Sequence, residues 1–283
     1  MSENFRERIE KAYPKMSKGQ KKIALFLAEQ SGKAAFLTAN SLGQQVGVSE
    51  STVVRFADTL GYAGYPELQR ELQEMLRSRL TGEERLARTG EIGTAELMEK
   101  VLKTDIENIR TTMNEIDRDS FEQTVNCLLA AKNIYIMGVR SAETIAHLLG
   151  YYLNFILNNV HTVMDTANDN IEQLIHLTPD DVFLGISFPR YSKRTVDAMA
   201  YAHQHGARCI ALTDSAFSPL CELADVKLEV CCDTASFVDS LVAPLSVINA
   251  LLAVLSQKKK DDLSKNLKEM ESIWNQNHFY AGK

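Results

Sequence analysis

Between Asn133 and Val230 the chain alternates short apolar runs with helical stretches, and this restricts the fold more than any other feature of its 283 residues. The runs are Ile134-Tyr135-Ile136-Met137, Val160-His161-Thr162-Val163, Asp181-Val182-Phe183-Leu184-Gly185-Ile186, Arg208-Cys209-Ile210-Ala211-Leu212 and Val226-Lys227-Leu228-Glu229-Val230. Most are apolar at successive positions, which suits strands covered on both faces. Helices are expected from Ser141 and from about Lys193, with a short one near Ser218. Strand-helix alternation predicts a doubly wound α/β domain of about five parallel strands, and such sheets hold ligands at the carboxyl ends of their strands.

Two loops at those ends carry the chemistry. Ser187-Phe188-Pro189-Arg190-Tyr191-Ser192-Lys193-Arg194-Thr195 brings hydroxyls, three cations and a helix start directly after a strand. Backbone amides at a helix N-terminus, hydroxyls and a guanidinium together suit an anion. Gly138-Val139-Arg140-Ser141 leaves the first strand in the same way. Arg140, Ser141, Ser187, Arg190, Ser192 and Thr195 are therefore the candidate ligand residues. The plainer reading is that Ser192 and Thr195 only cap a helix whose cations lie in water. Thr213, Asp214, Ser215 and Ser218 could add sugar-hydroxyl contacts or serve as turn and cap residues.

The amino-terminal part has a different pattern. Residues 41–56 read as helix, glycine turn and second helix, with Leu42 and Val46 on one apolar stripe, Val53, Phe56 and Leu60 on another, and Gly47 before the cap Ser49. A helix-turn-helix reader needs small or polar side chains at the start of its second helix, and Ser49, Glu50, Ser51, Thr52 and Arg55 stand there. An ordinary helical hairpin in a core would show the same glycine-joined pair. Residues 1–80 hold 12 Lys and Arg against 9 Asp and Glu, a balance of +3 that leaves −9 for the rest of the −6 chain. A basic head on an acidic body suits double-stranded operator DNA as partner. Lys15, Lys18, Lys21 and Lys22 place charge at the start of the first helix, where backbone contact and a solvated face are equal readings.

Composition shifts give the boundaries: a helix-turn-helix domain over 1–78, a polar linker over 79–95, connecting helices over 96–131, the α/β domain over 132–257 and a helical tail over 258–283. The apolar stretch 237–255 should be buried against the sheet or a second subunit. No apolar run is long enough for a membrane span and the start lacks a secretory core, so a cytoplasmic location is expected. Cys127, Cys209, Cys221, Cys231 and Cys232 lack the spaced pairs of a zinc site; neither metal nor cofactor is expected.

These blocks resemble the RpiR/MurR transcriptional regulators, which join a helix-turn-helix head to a sugar isomerase (SIS) domain. On the head the resemblance lies in Leu42-Gly43-Gln44-Gln45-Val46-Gly47-Val48-Ser49, Thr52-Val53-Val54-Arg55-Phe56 and Leu60-Gly61-Tyr62-Ala63-Gly64-Tyr65. On the body it lies in Gly138 to Ser141, Ile186-Ser187, and Ala207 through Ala224-Asp225. It implies a dimeric or tetrameric regulator of carbohydrate genes whose SIS domain senses a phosphosugar through serines and threonines. The family's phosphate loop reads Ser-x-Ser-Gly-x-Ser/Thr-x-acidic-Thr. This chain keeps Ser187, Ser192 and Thr195 but has Pro189, Arg190 and Arg194 at the other marked places, and Val139-Arg140 where the first loop usually has its second glycine. The added charge fits a sugar acid or its phosphate as well as a hexose phosphate.

Two other functions use the same chain. A sugar-phosphate isomerase would need an acid or base among His147, Glu143, Asp165, His203 and His205, none of which sits in a pairing motif. A DNA-binding scaffold that senses nothing would leave the converging cations and hydroxyls without a role.

Overall fold

A computed structural model describes residues 3–79, 81–90, 92–164 and 171–280. The chain divides into two compact units at Thr81 and Gly82. The first contains helices α1 (Glu3–Ala12), α2 (Lys18–Ala34), α3 (Ala39–Val46), α4 (Glu50–Thr59) and α5 (Tyr65–Arg79). Its core gathers Phe5, Ile23, Leu27, Leu42, Val53, Phe56, Leu68 and Leu72, all essentially inaccessible. The four lysines do not begin the first helix: a 3-10 turn, Tyr13–Lys15, intervenes and α2 starts at Lys18. Pro14 in that turn supplies the break, because its ring cannot continue a helix interior.

Within this unit Glu71 is only 2% exposed, and the Tyr62 hydroxyl donates to its carboxyl group. Burial pushes the Glu71 pKa up to about 7, opposed by the Arg8 guanidinium. The folded state therefore holds a proton that the unfolded chain releases near the ordinary carboxylate range. The Glu71 contribution to stability is fully present at low pH and is lost as pH rises through about 7. Glu71→Gln should stabilise the protein by about 2 kcal/mol at pH 8 and hardly at all at pH 4, as read from urea unfolding at both pH values.

The second unit holds α6 (Gly82–Thr89), α7 (Thr94–Glu115), α8 (Arg118–Ala130), β1 (Ile134–Gly138), α9 (Ser141–Ile156), β2 (Val160–Thr162), β3 (Val182–Ile186), α10 (Lys193–Gln204), β4 (Arg208–Thr213), β5 (Val226–Glu229), α11 (Val242–Lys258) and α12 (Lys260–Gln276). The polar stretch 79–95 carries a helix, α6. All five strands are parallel, in the order β2-β1-β3-β4-β5. Side chains alternate between two layers. Ile134, Ile136, Leu184, Ile210 and Leu228 meet residues of α8, α9 and α11 on one face, while Tyr135, Met137, Phe183, Cys209 and Ala211 meet α10 on the other.

The apolar stretch before the tail forms a helix only from Val242 onward. Val247, Ile248, Leu251, Leu252 and Leu255 join the core under the sheet, whereas Phe237 and Val238 remain exposed in the loop before it. Among the described residues no helix is long and apolar enough to cross a membrane.

Candidate functional site: two strand-end loops and a reader helix

The sheet order places the sugar-site candidates. The chain runs from β1 outward to β2 and then returns to β3 on the other side of β1, so the order reverses between β1 and β3. A crevice opens outside the carboxyl ends at such a reversal. Gly138 at the end of β1 pairs with Ile186 at the end of β3, so loops 139–141 and 187–192 leave neighbouring strands at one level. Gly138 also lets α9 begin directly on the strand end, since a Cβ there would lie 2.5 Å from the Ala142 carbonyl oxygen.

The β3 loop is braced from within. Ser192 N–H donates to Ser187 Oγ (3.1 Å), the Thr195 amide donates to Ser192 Oγ (3.4 Å), and Thr213 Oγ1 donates to the Ser187 carbonyl (2.7 Å). Ser187 and Ser192 accept in these bonds, so their hydroxyl hydrogens are available to a ligand oxygen. Thr195 is fully buried in the first turn of α10, and its Oγ1 has no hydrogen-bond partner among the described residues. A buried hydroxyl left unpaired costs about 1–3 kcal/mol, which an incoming acceptor would recover.

Both loop arginines have left-handed backbones: Arg140 at φ 61°, ψ −127° and Arg190 at φ 69°. Each stands where a glycine would sit without strain, as the departure from the family pattern anticipates. Both are exposed, and neither guanidinium has an ion-pair partner among the described residues. Lys193, the second cation of this segment, runs along α10 to Asp197 at 2.7 Å. The residues after β4 take local roles. Asp214 accepts from the Tyr191 hydroxyl, Ser215 Oγ from the Phe217 amide, and Ser218 caps a 3-10 turn.

Sequence reasoning missed two residues here. Asp239 accepts from Ser141 Oγ at 3.0 Å, and Arg85 on α6 pairs with the same carboxylate at 2.7 Å. No local pattern signals a partner about a hundred positions away.

On the first unit, α3 ends at Gly47 with φ 74°, and Ser49 stands at the N-cap of α4. Its hydroxyl bonds those of Ser51 (3.0 Å) and Thr52 (2.8 Å) rather than a backbone amide. Ser49, Glu50, Ser51 and Arg55 are exposed together and Thr52 is half-buried beside them. Arg55 folds back, donating from Nε to the Ser51 carbonyl at 3.2 Å. Gln20 of α2 donates to the Arg55 carbonyl (3.3 Å) and to Thr59 Oγ1 (2.8 Å), fixing α4 on the unit. The two reader helices approach so closely that a Cβ on Gly43 would lie 2.8 Å from the Val48 carbonyl oxygen.

Comparison with known proteins agrees with both halves. "Helix-turn-helix domain, rpiR family" matches residues 3–79 and "SIS domain" matches residues 128–254. An HTH-type transcriptional regulator of Haemophilus influenzae is 27% identical over 279 residues, 92% of each chain. The sugar isomerase domain of an RpiR transcription factor from Sphaerobacter thermophilus aligns with a TM-score of 0.60 at 28% identity, covering 62% of this chain and 98% of that one. The Vibrio vulnificus NanR protein, solved with ManNAc-6P, aligns with a TM-score of 0.58 at 21% identity over 95% and 96% of the two chains. The chain belongs to the RpiR family of transcriptional regulators, with a helix-turn-helix head and an SIS domain.

Proposed function

We propose that this regulator senses a phosphosugar, or a related anionic sugar derivative, at the β1 and β3 loops and so controls genes of carbohydrate metabolism. The observation that carries this reading is the buried Thr195 hydroxyl, without a hydrogen-bond partner among the described residues, on the same loop and helix start as the Ser187 and Ser192 hydroxyls, with two arginines that have no ion-pair partner among the described residues at the sheet's reversal point. Arg140, Ser141, Ser187, Arg190, Ser192 and Thr195 form the binding set. The ManNAc-6P seen in the Vibrio vulnificus neighbour supports the ligand class. A thermal-shift screen of the full chain against hexose 6-phosphates, sugar acids and their phosphates should show a specific rise in Tm. A flat response to all of them would remove the sensing role.

Sensing is favoured over catalysis by the helix-turn-helix head joined to the same chain. Of the acids and bases, His147 is 3.7 Å from Glu143 on α9, the histidine exposed and the glutamate half-buried. His203 and His205 stand at the far end of α10 from its loop, roughly 15 Å along the axis, and His205 stacks on Tyr201. Asp165 lies outside the described residues.

DNA is read by the exposed first turn of α4, with Arg55 as the principal base or phosphate contact. The exposed stripe Met98, Leu102, Ile106, Ile109 and Met113, on one face of α7, supports association with a second copy. Two copies would present two readers to half-sites about 34 Å apart or a multiple of that. Arg55→Ala should weaken operator binding about ten- to a hundredfold while leaving the Tm unchanged, measured by fluorescence anisotropy at several salt concentrations. Unaltered affinity would take this residue out of the interface.

A further inference from the structure

The loop between β5 and α11, residues 231–241, closes on the anion site from a third direction. It is anchored to α7 at both ends: the Cys231 amide donates to Thr112 Oγ1 (2.8 Å), the Asp233 amide to Asn108 Oδ1 (3.1 Å), and Ser240 Oγ to Asp105 (2.6 Å). On this strap the Asp239 carboxylate is shared. One oxygen accepts from Ser141 and the other pairs with Arg85, whose side chain is 10% exposed against 27% for Asp239. Arg85 sits on α6, the first helix after the chain leaves the DNA-reading unit.

A phosphate or carboxylate accepting from Ser141 needs the hydroxyl hydrogen that Asp239 now holds. One hydrogen cannot serve both oxygens fully, and two anions at contact distance repel strongly where water is reduced. An arriving anion therefore competes with Asp239 for Ser141. We propose that Asp239 is an internal competitor for the ligand anion, which holds Ser141 while the site is empty and, when displaced, weakens one of the contacts that hold Arg85 and α6. Ligand occupancy is thereby read out at the segment adjoining the DNA-reading unit in sequence. The inference rests on the anion site proposed above.

Hydrogen-deuterium exchange on the full chain, titrated with inorganic phosphate, tests it. In the wild type, phosphate should slow exchange over 187–195 and speed it over 82–89. Asp239→Asn should bind phosphate about tenfold more tightly, because the like charge is gone, with exchange over 82–89 already fast and insensitive to phosphate. Arg85→Met should bind phosphate more tightly than the wild type, because displacing Asp239 no longer breaks an ion pair, and show the same fast exchange in α6. Protection over 187–195 without any change over 82–89, or an unchanged affinity in Asp239→Asn, overturns the competitor role and leaves the anion site standing. Absence of protection over 187–195 in every variant overturns both.

Discussion

Gly138→Ala should destabilise the second unit by about 3 kcal/mol or more, seen as a large loss of Tm with α-helix content of the first unit retained. The added Cβ would meet the Ala142 carbonyl oxygen at 2.5 Å and its carbon at 2.7 Å, both backbone atoms of the first turn of α9. Backbone there cannot yield like the tip of a flexible side chain, so either the helix backs off the strand end or β1 shifts in the sheet. Each response also moves Arg140 and Ser141, and any folded remainder should have lost its ligand response. A normal Tm would show that α9 has room to retreat and that this contact does not set the site's geometry.

Arg140→Gly should act in opposite directions on stability and binding. At φ 61° and ψ −127° a side chain costs about 1–3 kcal/mol, and glycine relieves that while adding about 0.5–1 kcal/mol of unfolded-state entropy. The net expectation is a gain of about 1 kcal/mol in stability. Removing the guanidinium should meanwhile weaken phosphosugar binding about tenfold, the worth of one charge-assisted hydrogen bond. Thermal unfolding and isothermal titration on the same preparation separate the two effects. A lowered Tm would refute the strain, and an unchanged affinity would place the Arg140 side chain away from the ligand.

Strands β1, β3 and β4 were legible as compact apolar runs between turn residues, because burial on both faces leaves a continuous signature, whereas at the sheet edges β2 is short and β5 alternates. The reader helices were legible for a related reason, as Leu42, Val53 and Phe56 keep helical spacing around a glycine whose left-handed φ the turn requires. Helix α6 was not, because a short stretch holding Glu83, Glu84 and Arg85 lacks a core-facing stripe and reads as solvated linker. The loop serines were found from their place after a strand, but their division between bracing and binding was invisible. That Ser187 holds the Ser192 amide while Thr195 Oγ1 has no partner among the described residues depends on distances no pattern encodes.

The two-part organisation, the parallel sheet, the candidate reader face on α4 and the two candidate loops after β1 and β3 all follow from local periodicity and turn chemistry along the chain. Packing alone set the reversal of strand order between β1 and β3 and the place of Asp239 between Ser141 and Arg85. Hydrophobic patterning acts over a few residues and is written into neighbouring positions. The pairing of charges and hydroxyls across a crevice is set by how the packed elements bring distant positions together, and the linear sequence leaves no mark of it.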